Sequence, residues 1–229
     1  MIGLLGTFVN MGTVIAGGTL GLLLGSRFPE RISGALMKAL GLCTLLIGVT
    51  GILEGENQLI TIVSMTVGTL IGEFFDLDVK LNRLGNFLQS KFKKSEGKVS
   101  IAEGFVNASL LFCVGAMTIV GSLQSGLTGD NSMIYTKSLL DFVSSTIFAS
   151  TLGIGVLFSS ALILVYQGGI VVLAHYIAPY LTDSAISEMT CVGSLIIIGL
   201  ALNMLGITKL KVMNFVPAIF IPILLCALI

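Results

Sequence analysis

Apolar runs separated by short polar breaks fill this chain from one end to the other. The first run covers residues 3–26, and others follow at about 29–53, 58–75, 101–124, 187–205 and 212–229. Each approaches the roughly 20 residues that a helix needs to cross the hydrocarbon core of a bilayer. The remaining run, 135–181, is too long for one crossing. Gly153-Ile154-Gly155 divides it, because paired glycines weaken a helix, giving helices at about 135–153 and 156–180. The pattern therefore predicts eight membrane helices. Pro29 suits a helix start, and Pro217 and Pro222 are expected to kink the last helix.

Glycines mark the faces on which helices approach closely. Gly17, Gly21 and Gly25 repeat every fourth residue, and Gly34, Gly41, Gly48 and Gly55 every seventh. Small residues in such series let backbones meet. They lead to the expectation of close packing and of a homo-oligomer. The extended charged segment, 76–100, carries Lys80, Arg83, Lys91, Lys93, Lys94 and Lys98 beside Leu77, Leu81, Leu84 and Leu88 at helical spacing. It reads as an amphipathic connector on the cytoplasmic surface. The chain is thus a single membrane domain, 1–229, with that connector.

Composition sharpens this picture. Of the 229 residues 55% are hydrophobic and 10% charged, and the mean hydropathy is +1.03. A soluble domain carries about 25% charged residues. The formal net charge is zero, which leaves no electrostatic footprint for nucleic acid. Cys43, Cys113, Cys191 and Cys226 lie inside apolar runs without CxxC spacing and read as small buried hydrophobes. The first run lacks a basic leader and a cleavage site, so it reads as a span. Basic residues favour cytoplasmic loops. Eight spans place Arg27, Arg31, Lys38, the 80–98 cluster, Lys209 and Lys211 on one side, with 54–57, 125–134 and 181–187 outside.

Candidate chemistry centres on Asp141. A carboxylate within a membrane helix is costly and usually faces a partner or a wet cavity. Ser144 and Ser145 follow three and four residues on, and with Asp141 they form an oxygen set suited to a hard cation or an ammonium group. The alternative is an interfacial pair with Lys137, four residues earlier. Asn10, Asn107, Thr118 and Gln124 are polar groups in other helices that would complete a solute site near the Gly153–Gly155 break. Each is equally explained as interhelical glue. His175, the single histidine, lacks acidic sequence neighbours and reads as a packed interfacial residue. No nucleophile–base pair, metal-ligand spacing or cofactor motif appears, so neither an enzyme nor a bound cofactor is expected.

Two similarities add to this. Cys113–Gly121 matches Cys191–Gly199 at five identical positions, and Phe8-Val9-Asn10 recurs as Phe105-Val106-Asn107. In the eight-span scheme each matched pair runs in opposite directions, the pattern of an inverted repeat; chance likeness between Gly- and Ile-rich helices is the alternative. Gly6-Thr7-Phe8-Val9-Asn10, the Arg27–Pro29 turn and the stretch Gly115-Ala116-Met117-Thr118-Ile119 through Gln124-Ser125-Gly126-Leu127-Thr128-Gly129-Asp130 resemble the YqgA/YdfK-type bacterial inner-membrane proteins, a domain-of-unknown-function family. That resemblance implies a multi-pass protein of the bacterial plasma membrane and supplies no substrate. The expected fold is an all-α polytopic bundle in the lipid bilayer. The expected function is transport of a small solute or cation, with a non-transporting scaffold as the alternative.

Overall fold

The computed structural model describes residues 2–25, 30–80, 82–83, 101–113 and 116–228. The Arg27–Pro29 turn, Val114-Gly115 and all of the 84–100 part of the connector lie outside the described residues. Those described form helices and no strand. A short 3-10 turn, Ile2–Leu4, leads into α1 (Leu5–Gly25), followed by α2 (Glu30–Ile52) and α3 (Gln58–Phe75). After the connector come α4 (Ile101–Cys113), α5 (Ala116–Thr128), α6 (Ser132–Leu152), α7 (Gly155–Ile177) and α8 (Asp183–Met204). A 3-10 stretch, Val212–Phe220, then continues into α9 (Ile221–Cys226).

The glycine seams decide which helices meet. A Cβ on Gly17 would strike the Phe142 carbonyl, one on Gly21 the Thr146 carbonyl and one on Gly25 the Ser150 carbonyl. The numbers rise together, so α1 and α6 run parallel with backbones in contact. The second series works against α8. Gly41 meets Leu205, Gly48 meets Ile198 and the Ser194 carbonyl, and Gly55 meets Cys191, so that pair is antiparallel. Gly34 faces open space. On α3, Gly68 and Gly72 lie against the backbone of Ala218 and Asn214. These seams are filled from within the chain, so they carry no argument for an oligomer.

At the centre stands α8, with Val192, Ile196 and Leu200 buried against the surrounding helices. Against it pack α2 and α3, which turn Leu46 and Leu70 outward, and α6 turns Leu139 outward beside α1. Among the described residues five helices are long and apolar enough to cross a membrane, and a sixth if α4 and α5 count as one bent crossing. The 21 residues of α6 include Lys137 and Asp141 and are less apolar.

One end of the bundle is basic. Lys211 pairs with Asp76 at 3.5 Å and the Asp78 amide donates to Asn214 Oδ1 at 2.8 Å, which brings 76–83 beside 209–214. The acidic turn 54–57, Gly129–Asn131 and the start of α8 lie at the other end.

Three expectations change. The helix expected over 101–124 is two helices, α4 and α5, bent by 61°. The loop expected from Ser125 is shorter, because α5 continues to Thr128. The Gly153-Ile154-Gly155 break, beside which a solute site was expected, is a tight reversal whose carbonyls are paired. Gly153 takes φ 75°, where a side chain is disfavoured. Its carbonyl accepts from Val156 N and that of Ile154 from Leu157 N. In the last segment Pro217 lies inside the 3-10 stretch, since proline cannot supply the N–H that an α-helix needs. Phe8-Val9-Asn10 and Phe105-Val106-Asn107, one of the internal matches, lie in α1 and α4. Their surroundings differ, however: Asn10 bonds to Gln167 in the core, whereas Asn107 lines a cavity at the basic end.

Candidate functional site

The polar residues of α6 fall on one face at intervals of three and four. Lys137, Ser138, Asp141 and Ser145 are all buried there, between α1 and the α4–α5 bend. Lys137 Nζ donates to Asp141 Oδ2. It also lies 5.9 Å from the ring centroid of Phe112, the penultimate residue of α4. The ion pair therefore sits beside the bend, with Lys137 and Asp141 each 6% exposed. The pairing offered as the alternative role for Asp141 is thus present, buried against protein.

From α1, Asn10 stands beside the Asp141 carboxylate and donates its Nδ2 to Gln167 Oε1 of α7 at 3.0 Å. Asn10 is fully buried and Gln167 is 1% exposed. Asn10 Oδ1, Gln167 Nε2 and the Thr7 hydroxyl have no hydrogen-bond partner among the described residues. Unpaired buried groups of this kind are rare in folded proteins. The last turn of α4 presents carbonyls, one of which, Phe112 O, accepts from the Thr118 hydroxyl of α5 at 3.0 Å. The first turn of α5 presents N–H groups, the positive end of its dipole.

The structure thus brings together Asp141 and Asn10 and adds Lys137 and Gln167, while Thr118 bonds to the Phe112 carbonyl. Ser145 shares the buried face, but its hydroxyl donates to Phe142 O at 3.0 Å and packs at Gly17. Ser144 is only partly buried, away from that face, and Gln124 is exposed near the far end of α5. Asn107 lines a separate cavity of about 220 Å³ with Asp78, Glu103, Asn203 and Leu210. His175 is exposed near the acidic end of α7. Among the described residues no three of His, Cys, Asp and Glu come together as metal ligands would.

Two clusters at the acidic end escaped sequence reading. Glu188 is 1% exposed and takes the amide protons of Glu56 and Asn57 at 2.8 and 2.7 Å, with the Thr61 hydroxyl at 3.3 Å. Its signal was a carboxylate just inside an apolar run, but the partners lie more than 120 residues away. Asn131 accepts from Gly6 N at 3.1 Å and from the Ser125 hydroxyl at 2.6 Å. It satisfies an N–H at the start of α1, so it caps a helix that is not its own. Asp130 accepts from the amide and hydroxyl of Ser132, which hold its carboxyl below the usual range.

The model of a protein family of unknown function, DUF554, matches residues 5–227. An uncharacterized membrane protein of Bacillus subtilis, YdfK, is 32% identical over 221 residues, covering 95% of this chain and 93% of its own. An uncharacterized protein of Escherichia coli K12, YqgA, is 34% identical over 226 residues, covering 97% and 96%. No solved structure matches. With its apolar helices packed through glycine seams into one all-α bundle, the chain is a membrane protein and belongs to the DUF554 family.

Proposed function

We propose that this protein carries a small solute across the bacterial plasma membrane, and that the Lys137–Asp141 cluster is the solute site in its closed arrangement. One observation carries the reading: a buried ion pair lies against a bent span, next to amide atoms that lack partners. Bent or broken helices in secondary transporters expose helix ends to solutes near the membrane midplane. Each charge at such depth costs about 2.5–3.5 kcal/mol. Well-packed apolar side chains in place of a buried pair are often neutral or more stable. The pair is therefore poor value as glue and suited to a ligand.

The cavity lined by Asn107 and Asn203 lies at the basic end, separate from the Lys137–Asp141 cluster. No comparable chemistry supports catalysis, and we propose no enzymatic role. A scaffold is the second reading, favoured by the closed core, where Asn10, Gln167 and Asp141 are shut off from both faces. The outward faces of α2 and α3 would then meet a second copy, through Leu42, Leu46, Leu59 and Leu70.

Reconstituted protein distinguishes the two. Uptake from a labelled mixture of amino acids, sugars, organic acids, amines and inorganic cations is compared with protein-free vesicles. Lys137→Met or Asp141→Asn alone leaves one buried charge unpaired and should cost about 3–5 kcal/mol of stability. The double variant should regain stability and still fail to transport. Full uptake by the folded double variant would remove the pair from the site.

A further inference from the structure

We infer that the solute is a small zwitterion of the amino-acid type, held with its carboxylate on Lys137 and its ammonium on Asp141. The inference rests on the transport reading above and goes on to name the solute's chemistry. The site is electrically neutral but strongly dipolar. Lys137 is a three-fold donor for which Asp141 is the one acceptor that the described residues supply. Asp141 has acceptor positions beyond those that Lys137 and the Asn10 amide fill. Next to them lie one spare acceptor, Asn10 Oδ1, and one spare donor, Gln167 Nε2, on amides already joined to each other. Donors and acceptors are thus left over together.

A monovalent cation would engage Asp141 and leave Lys137 unpaired in a low-dielectric interior. An anion would do the reverse. Either outcome is the unfavourable one for a buried pair, whose stability fails when one partner is lost. This also counts against the hard cation suggested by the oxygen set of Asp141, Ser144 and Ser145, because an ammonium group already occupies the carboxylate. A neutral solute leaves the pair closed and gives the charges no task. A zwitterion replaces one internal ion pair by two, and no charge is stranded. Its carboxylate would gain Gln167 Nε2. Its ammonium would gain Asn10 Oδ1. Loading and release then exchange like for like, which suits a site that must close completely.

The test uses full-length protein in proteoliposomes and three matched probe sets: labelled L-amino acids, their methyl esters and their N-acetyl derivatives. The esters keep only the positive charge and the N-acetyl compounds only the negative. At least one free amino acid should enter more than tenfold faster than into protein-free vesicles, with its ester and N-acetyl forms at background. Gln167→Met leaves the ion pair in place but removes the acceptor of the Asn10 amide, so the variant is first shown folded by its melting temperature and size-exclusion profile. Gln167→Glu, which keeps an acceptor but lacks the donor, is run beside it; either folded variant should lower that uptake by tenfold or more. Uptake of esters, N-acetyl compounds, sugars or inorganic ions without the free amino acids would overturn the zwitterion while transport stood. Amino-acid uptake that survives Gln167→Met in full would overturn this placement of the solute. Background flux for every probe, including the wider mixture, would overturn transport and the zwitterion together.

Discussion

Single carboxylates carry much of the architecture at both ends of the bundle. Glu188 gathers two amide protons and a hydroxyl from the α2–α3 turn, and so ties that turn to the central helix. Hydrogen bonds to a charged acceptor contribute about 1.5–3 kcal/mol. Glu188→Gln keeps an acceptor but removes the charge, so it should lower the melting temperature in detergent by an amount equivalent to about 2 kcal/mol. Thr61→Val, which removes the longest of the three contacts, should do less. An unchanged melting temperature for Glu188→Gln would show that the tie contributes nothing. Asp130 and Asp78 respond to pH in opposite senses. The Ser132 hydroxyl, then its amide, hold Asp130 below 3.8, so its contribution exists above that value and is lost as the pH falls through the lowered one. Burial raises Asp78 above 3.8, against the pull of Lys211. Its contribution is full below 3.8 and is lost as the pH rises through the raised value. Asp78→Asn should therefore gain stability over wild type at neutral pH and lose that advantage in acid, while Asp130→Asn should be less stable than wild type at neutral pH. Melting curves between roughly pH 2 and 8 check both directions.

Among the helices, glycines separate into those that touch backbone and those that touch nothing. Gly21 faces the Thr146 carbonyl and Gly72 the Asn214 backbone, neither of which can move aside like a side-chain tip. Gly21→Leu and Gly72→Ala should each cost about 1–3 kcal/mol or more through forced separation of the pair. Gly12 and Gly34 have open space, so alanine there should be neutral or stabilise by about 0.5–1 kcal/mol through higher helix propensity. Equal melting temperatures for all four variants would sink the seam assignment. These seams were legible beforehand because spacing in one helix is a local property. The run boundaries were legible for the same reason, and α6, α7 and α8 begin and end within a few residues of expectation. The bend between α4 and α5 was not, since Cys113 to Ala116 carries no proline and its Gly115 resembles many others. Asp141 stood out as a rare carboxylate in an apolar run. Its setting did not, because Asn10 and Gln167 come from helices far apart in sequence and only the parallel packing of α1 on α6 brings them in.

Over the whole molecule, the question is how many times the chain crosses the bilayer. Hydropathy and length alone support five crossings, or six with the bent pair. Packing supports two more. The 21 residues of α6 reach about 31 Å at 1.5 Å each, close to the roughly 30 Å hydrocarbon core. They follow α1 from Gly17 to Gly25 without a gap, so α6 must go where α1 goes. Its charges are tolerated because they pair inward. The Val212–Cys226 segment has only 15 residues in total, too few for an α-helical crossing. Nine of them, Val212–Phe220, are in 3-10 form, which rises about 2.0 Å per residue, and the segment reaches about 27 Å. Pro217 thus lengthens the segment in the act of breaking its α-helix. Eight crossings put Arg83 and Lys209 at one face and Glu54 and Asp130 at the other, in accord with the bias of basic residues toward the cytoplasm. All four are exposed and suited to cysteine scanning. With Cys43 and Cys226, the two cysteines that are not buried, first changed to serine, an impermeant thiol reagent applied to intact cells should label Glu54→Cys and Asp130→Cys. It should spare Arg83→Cys and Lys209→Cys until the cells are opened. Labelling of Lys209→Cys from outside would mean that α6 or α8 fails to cross, and the parallel pairing of α1 with α6 in the membrane would fall with it.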